Sequence, residues 1–130
     1  NICCALEYFT RVLKRPCTAF LISDFYDQKD YQHALQIANQ KHDVVGIQVY
    51  DPRAKQLPDV GLLKVMDAET GHEMYIDTSS KKLRVAHAQN WFRRQDNLRQ
   101  LFAKSKVDWT SVATNEDFSK SLLALFKQRG

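Results

Sequence analysis

The chain has 130 residues, of which 44% are hydrophobic and 26% are charged. This composition is typical of a folded globular protein and excludes disordered and fibrous chains. The length predicts one domain over residues 1–130, with a core large enough to need no disulfide or metal. The net charge of +4 is spread along the sequence, so we expect no nucleic-acid partner and no membrane partner.

The three cysteines, Cys3, Cys4 and Cys17, form no C-x-x-C pair and are odd in number. They predict neither a disulfide framework nor a zinc site, and they indicate a reducing, cytoplasmic location. No apolar run approaches the ~20 residues of a membrane span, and no signal peptide opens the chain. Because the first residue is Asn1 rather than a methionine, we expect the chain to be a piece of a longer polypeptide.

Hydrophobic periodicity predicts the secondary structure in chain order. The predicted elements are a helix through Ile2–Leu13, a strand at Thr18–Ser23, a helix from Tyr31 to Lys41, a strand at Val44–Tyr50, a hairpin of Leu62–Met66 and Glu73–Ile76 around an Asp67–Gly71 turn, a helix from about Ser80 to Ser105, a strand at Val107–Ala113 and a final helix. Thr114 is predicted to cap that final helix, with Asp117 in the capping-box position.

Helices that alternate with apolar strands indicate a parallel sheet covered on both faces. We therefore predict an α/β fold with a three-layer, Rossmann-like architecture, a mostly parallel sheet and an added β-hairpin. Three parallel strands make a small sheet, and a helix precedes the first of them. Both features are expected of part of a doubly wound domain.

In such sheets the functional site lies beyond the carboxyl ends of the strands. The residues at these positions are Ser23, Asp24, Asp27, Asp51, Thr114 and Asn115. Asp24 is the best single candidate, because a carboxylate at a strand end suits a hard cation such as Mg²⁺. The competing interpretation is that Asp24 and Asp27 cap the next helix.

Enzyme signatures are missing from the sequence, so we expect no enzyme. Ser23 has no G-x-S-x-G context, and the four glycines form neither a G-x-G-x-x-G motif nor a Walker loop. The histidines lack the spacing of ligand pairs, and all are expected on the surface: His33, His42, His72 and His87.

The segment Phe20-Leu-Ile-Ser-Asp-Phe-Tyr-Asp27 resembles the bacterial family called domain of unknown function 58, whose members carry a von Willebrand factor A-like domain. The likeness covers nearly the whole chain. Further matching segments are Ala5–Tyr8, Val12–Arg15, His42–Val44, Asp51–Arg53, Leu57–Gly61, Asp67–Gly71, Asp77–Thr78 and Thr114–Asp117.

The resemblance implies that the chain is the C-terminal portion of such a domain. Of the metal-ion-dependent adhesion site it retains only the final aspartate, Asp24, followed by Phe25 where these domains usually have glycine. The serine loop and the threonine would lie upstream. We therefore expect no cofactor here, with Mg²⁺ a candidate for the full-length protein.

The resemblance further implies a non-enzymatic protein-interaction module that partners a MoxR-type AAA+ ATPase, with Ser23, Phe25, Tyr26 and Asp27 as the contact surface around Asp24. The exposed edge of strand Thr18–Ser23 predicts a homodimer. Two alternatives remain open from the residues: a receiver-like phosphoacceptor domain centred on Asp24, and a nucleic-acid binder that uses the basic stretch from Arg84 to Lys106.

Overall fold

The computed structural model of the chain describes residues 1–26, 30–66 and 70–129. Its helices and strands are α1 (Ile2–Val12), β1 (Thr18–Ser23), α2 (Gln32–Lys41), β2 (Asp43–Tyr50), α3 (Pro52–Lys55), β3 (Leu62–Met66), β4 (Glu73–Asp77), α4 (Lys81–Ser105), β5 (Asp108–Ala113) and α5 (Phe118–Arg129). The chain divides into two compact units, one of Asn1–Tyr50 with Asp96–Gly130 and one of Asp51–Gln95. The sequence alone did not predict this division.

A three-stranded parallel sheet forms the centre of the first unit, in the order β1-β2-β5. Strand β1 pairs with β2 from Thr18↔Asp43 to Ser23↔Gln48, and β2 pairs with β5 from Val45↔Asp108 onward. The central strand β2 is almost wholly buried, as its apolar sequence predicts for a strand with neighbours on both sides.

Helices cover both faces of this sheet. On one face, α1, α2 and the end of α4 enclose a cluster that includes Leu6, Leu35, Val44 and Phe102. On the other face, α5 packs against β5, and its Phe126 meets Phe20 of β1 in an edge-to-face contact at 6.2 Å. The predicted α/β class, with its mostly parallel sheet, is confirmed.

Gly46 allows the end of α4 to approach the centre of the sheet. A Cβ atom at this position would lie 2.8 Å from Cζ of Phe102, which is fully buried, and 3.3 Å from Cβ of Trp109. The ring of Phe102 is stacked on that of Trp109, with centroids 5.2 Å apart. The aromatic layer therefore lies directly on the β2 backbone.

Asn39 connects three backbone segments at the amino-terminal end of the sheet. Its Nδ2 donates to the carbonyls of Ser105 and Lys106, at 3.3 and 3.0 Å. Its Oδ1 accepts the N–H of Val44 at 3.1 Å. One side chain on α2 thus holds the end of α4 and the start of β2.

The second unit contains the predicted hairpin, in which β3 and β4 pair antiparallel from Leu62↔Asp77 to Met66↔Glu73. Thr78 closes the open end of the hairpin, because its Oγ1 donates to the Gly61 carbonyl at 2.5 Å and accepts the Val60 N–H at 3.0 Å. The predicted turn is only partly described, since residues 67–69 lie outside the described residues.

Two helix starts differ from the sequence-based expectations. The prediction that Thr114 caps the final helix is wrong: its N–H donates to the Tyr50 carbonyl at 2.8 Å, and it therefore extends the sheet. Asp117 caps α5 instead, accepting the Ser119 N–H at 3.0 Å. The short helix α3 was not predicted. Asp51 caps it, and Pro52 occupies its first turn.

In the part of the chain that the structure describes, every helix is too short or too polar to cross a lipid bilayer.

Candidate functional site

The turn after β1 is held by two side chains that bond to the backbone two residues further on. Ser23 Oγ accepts the N–H of Phe25 at 3.0 Å, and Asp24 Oδ1 accepts the N–H of Tyr26 at 2.9 Å. Both are local turn bonds that serine and aspartate form readily. Asp24 therefore organises its own turn, and the interpretation that it caps α2 is wrong.

Phe25 takes the backbone conformation that would be natural for glycine, with φ of +55°. A left-handed conformation costs a non-glycine residue about 1–2 kcal/mol. Burial of the ring offsets this cost: Phe25 is 8% exposed and meets Phe102 edge-to-face at 5.2 Å. The expectation that Phe25 contributes to a contact surface is therefore corrected, because its ring belongs to the core.

Asp24 and Tyr26 remain on the surface, and Tyr26 is 52% exposed. Together with Asn1, Ile2 and Ser23 they line a shallow depression of about 370 Å³. The predicted contact residue Asp27 lies outside the described residues. The structure thus brings together a carboxylate, a hydroxyl and an aromatic ring at the carboxyl end of β1.

These side chains do not fit a magnesium site by themselves. Asp24 supplies one carboxylate, while Asn1 Oδ1 accepts the Cys4 N–H at 3.2 Å and so caps α1. Across the described ranges, no three His, Cys, Asp or Glu side chains come together as a ligand group. Mg²⁺ prefers six oxygens in a regular octahedron. Asp24 by itself therefore supplies too few oxygen ligands to hold Mg²⁺ at this turn.

The other strand-end candidates serve local structure. Asp51, after β2, forms an ion pair with Arg53 at 2.8 Å, and the hydrogen bonds from Arg53 lower the pKa of Asp51 to about 2. Thr114, after β5, bonds to the backbone of Tyr50. Burial raises the pKa of the Tyr50 hydroxyl, and the nearby carboxylate of Glu116 raises it further.

A second depression, of about 490 Å³, lies at the amino-terminal ends of the strands and was not predicted. Arg129 forms ion pairs there with Asp43 and Asp108. His42 is 5% exposed, and its Nδ1 accepts the Cys17 N–H at 3.1 Å. The expectation of a surface histidine is wrong at this position. The Cys17 N–H satisfies Nδ1 of the buried ring, while Nε2 has no hydrogen-bond partner among the described residues.

Several mycobacterial proteins are similar to part of this chain. One is an uncharacterized protein of Mycobacterium avium, 37% identical over 71 residues, which are 55% of this chain and 42% of that protein. Uncharacterized proteins of Mycobacterium bovis and Mycobacterium tuberculosis are each 35% identical over 71 residues, again 55% of this chain and 22% of theirs. The matched stretch therefore spans less than half the length of these relatives.

No solved structure matches the chain significantly. The family model described as "Protein of unknown function DUF58" matches residues 1–97. Because this match covers most of the 130 residues, the chain belongs to the DUF58 family.

Proposed function

We propose that the chain is a non-enzymatic protein-interaction module of the von Willebrand A-like type, and that Ser23, Asp24 and Tyr26, in the turn after β1, form its binding surface. The observation that carries this proposal is the exposed pairing of a carboxylate with an aromatic ring at the carboxyl end of β1. In open α/β domains, ligands bind outside the carboxyl ends of the parallel strands. Asp24 supplies charge and Tyr26 supplies contact area.

Two structural features support the von Willebrand A-like assignment. The sheet is parallel with helices on both faces, as in the domains that the sequence resembles. Phe25 has a positive φ at the position where those domains usually have glycine. Glycine adopts a positive φ without strain, so this backbone conformation supports the resemblance although the residue differs.

The proposed partner is a MoxR-type AAA+ ATPase, in the cytoplasm. Asp24 Oδ1 accepts the Tyr26 N–H, and within the described ranges no side chain donates to Asp24 Oδ2. A cationic group of the partner would bind this second oxygen. In a longer protein that includes the serine and threonine ligands, Asp24 would instead help to hold Mg²⁺, which would supply positive charge to attract a carboxylate of the partner. Aromatic residues such as Tyr26 often dominate the energy of an interface.

Binding of a purified MoxR-type ATPase to the immobilised chain would test the proposal. Asp24→Asn and Tyr26→Ala are each expected to weaken binding by about tenfold or more, which corresponds to about 1.4 kcal/mol. Tyr75→Ala is the matched control, because Tyr75 is an exposed tyrosine on the hairpin of the second unit. Its binding should equal that of the wild type.

Two results would contradict the proposal. One is wild-type affinity in both turn variants, and the other is a loss in Tyr75→Ala as large as theirs. A separate incubation with acetyl phosphate, followed by mass spectrometry, would test the receiver-like alternative. That alternative predicts a phosphoryl adduct on Asp24, whereas an interaction module predicts none.

A further inference from the structure

A thiol and an imidazole are in contact at the amino-terminal end of β1. Sγ of Cys17 lies 3.5 Å from Nδ1 of His42, and the backbone N–H of Cys17 donates to the same nitrogen at 3.1 Å. Cys17 is exposed, whereas His42 is buried. The contact joins two residues inside the chain and involves no terminal segment. The thiol is therefore open to solvent on one side and touches a buried base on the other.

The hydrogen bond from the Cys17 backbone determines where the neutral ring of His42 carries its proton. An imidazole nitrogen that accepts an N–H has no proton of its own, so the proton of the neutral ring is on Nε2. The ring is also held by Phe9, with centroids 4.6 Å apart. Because Nδ1 already faces both the N–H and the Sγ of Cys17, it can accept the thiol proton without a rotation of the ring.

The depression beside the Cys17 thiol carries a net positive charge. Its charged lining residues are three cations and two carboxylates: Lys41, Lys106, Arg129, Asp43 and Asp108. Arg129 forms ion pairs with both carboxylates, so their negative charge is offset. The two lysines are exposed, and neither forms an ion pair with another described residue, so they can attract an anionic reagent. The volume of about 490 Å³ accommodates a small molecule.

We propose that Cys17 is a modification site that forms a mixed disulfide with a small, anionic peptide disulfide. As Sγ attacks one sulfur of the reagent, His42 accepts the thiol proton at Nδ1. The new S–S bond joins Cys17 to one half of the reagent, and the S–S bond of the reagent breaks. The other half leaves as a thiolate and takes the proton from His42. The reagent is thereby the only oxidant required, and the ring is neutral before and after the exchange.

The expected acceleration is moderate. A well-placed general base contributes typically about 10²–10⁴-fold to a reaction rate. Burial of the His42 ring opposes a positive charge on it, and the proton on Nε2 has no acceptor among the described residues. We therefore expect Cys17 to react about tenfold faster than an exposed thiol in the same depression. The proposal is independent of the function proposed for the turn after β1, because Cys17 lies at the opposite end of that strand.

The rate of modification by oxidised glutathione tests the proposal. One variant keeps Cys17 as its only cysteine, through Cys3→Ser and Cys4→Ser. The matched control has all three cysteines replaced by serine and carries Gln40→Cys, because Gln40 is exposed and lines the same depression. Mass spectrometry of acid-quenched samples follows the adduct over time. Cys17 should react about tenfold faster than the cysteine introduced at position 40.

His42→Asn in the chain that keeps only Cys17 tests the role of the base. The asparagine oxygen can still accept the Cys17 N–H, but it cannot take up the thiol proton. The rate should fall to within about twofold of the position-40 control, and circular dichroism checks that the variant is folded. An unchanged rate in the folded variant would overturn the role of His42. Equal rates for Cys17 and the position-40 cysteine would overturn the proposal without recourse to this variant.

A cationic disulfide tests the charge of the reagent. Cystamine replaces oxidised glutathione, and each rate is divided by that of the urea-unfolded chain to remove the intrinsic reactivity of the reagent. Folded Cys17 should favour the anionic reagent by about twofold or more, because attraction to exposed lysines is weak. The preference should vanish in about 1 M salt, where the screening length is about 3 Å. No preference at low salt, or a preference for cystamine, would overturn the assignment of an anionic reagent.

Discussion

Gly46→Ala should destabilise the first unit, because its new methyl group would enter the volume of the Phe102 ring. The distances to Cζ and Cε1 would be 2.8 and 2.9 Å, and carbon atoms prefer about 3.5–4.0 Å. The ring cannot turn aside freely. It is fully buried, stacked on Trp109 and edge-on to Phe25, both at 5.2 Å.

The magnitude follows from two opposing effects. Overpacking of a close-packed core costs typically about 1–3 kcal/mol. Replacing glycine by alanine also restricts the unfolded chain, which stabilises the folded state by about 0.4–1 kcal/mol. The middle of these two ranges gives a net loss of about 1.3 kcal/mol in the free energy of unfolding of Gly46→Ala. Urea titration followed by tryptophan fluorescence measures it, since Trp109 reports on the affected layer.

A double-mutant cycle isolates the cause. In a Phe102→Leu background the added methyl group gains room, so Gly46→Ala should cost at least about 1 kcal/mol less than in the wild type. Gly71→Ala is the control. Its φ is +71°, and nothing lies within 4 Å of the added atom, so its cost comes from the backbone and should not change with Phe102. Equal losses for Gly46→Ala in both backgrounds would refute the steric explanation.

Three further variants test the fold and the turn by chemical denaturation. Asn39→Ala removes three hydrogen bonds and should lower the free energy of unfolding by about 2 kcal/mol. Gln40→Ala, at the exposed neighbouring position, should lower it by less than about 0.5 kcal/mol. Phe25→Gly should be more stable than Phe25→Ala by roughly 0.5–1 kcal/mol, the reverse of the usual order, because the positive φ favours glycine. The pKa of Asp51 is lowered to about 2 in the folded chain from an ordinary 3.8, so its pairing with Arg53 stabilises the fold above pH ~4 and is lost as the pH falls toward 2. Asp51→Asn should therefore lose less stability than the wild type between pH 4 and pH 2, and an equal loss would contradict this assignment.

The strands could be predicted from the sequence because their apolar runs are long enough to show their own pattern. The three runs in the parallel sheet were placed within one residue of their observed bounds. The helix α3 was missed because four residues cannot show a helical period. Its cause is local chemistry instead: Asp51 caps it, and Pro52 supplies the preset φ.

The surroundings of individual side chains could be predicted less well. Nothing in the sequence distinguishes His42 from a polar surface residue. In the structure, the Cys17 N–H lies 3.1 Å from its Nδ1. The core position of Phe25 follows from a left-handed backbone that sequence patterns do not reveal. Asp24 was singled out because it directly follows an apolar strand, which is a pattern of neighbours along the chain. Contacts between distant residues leave no such pattern.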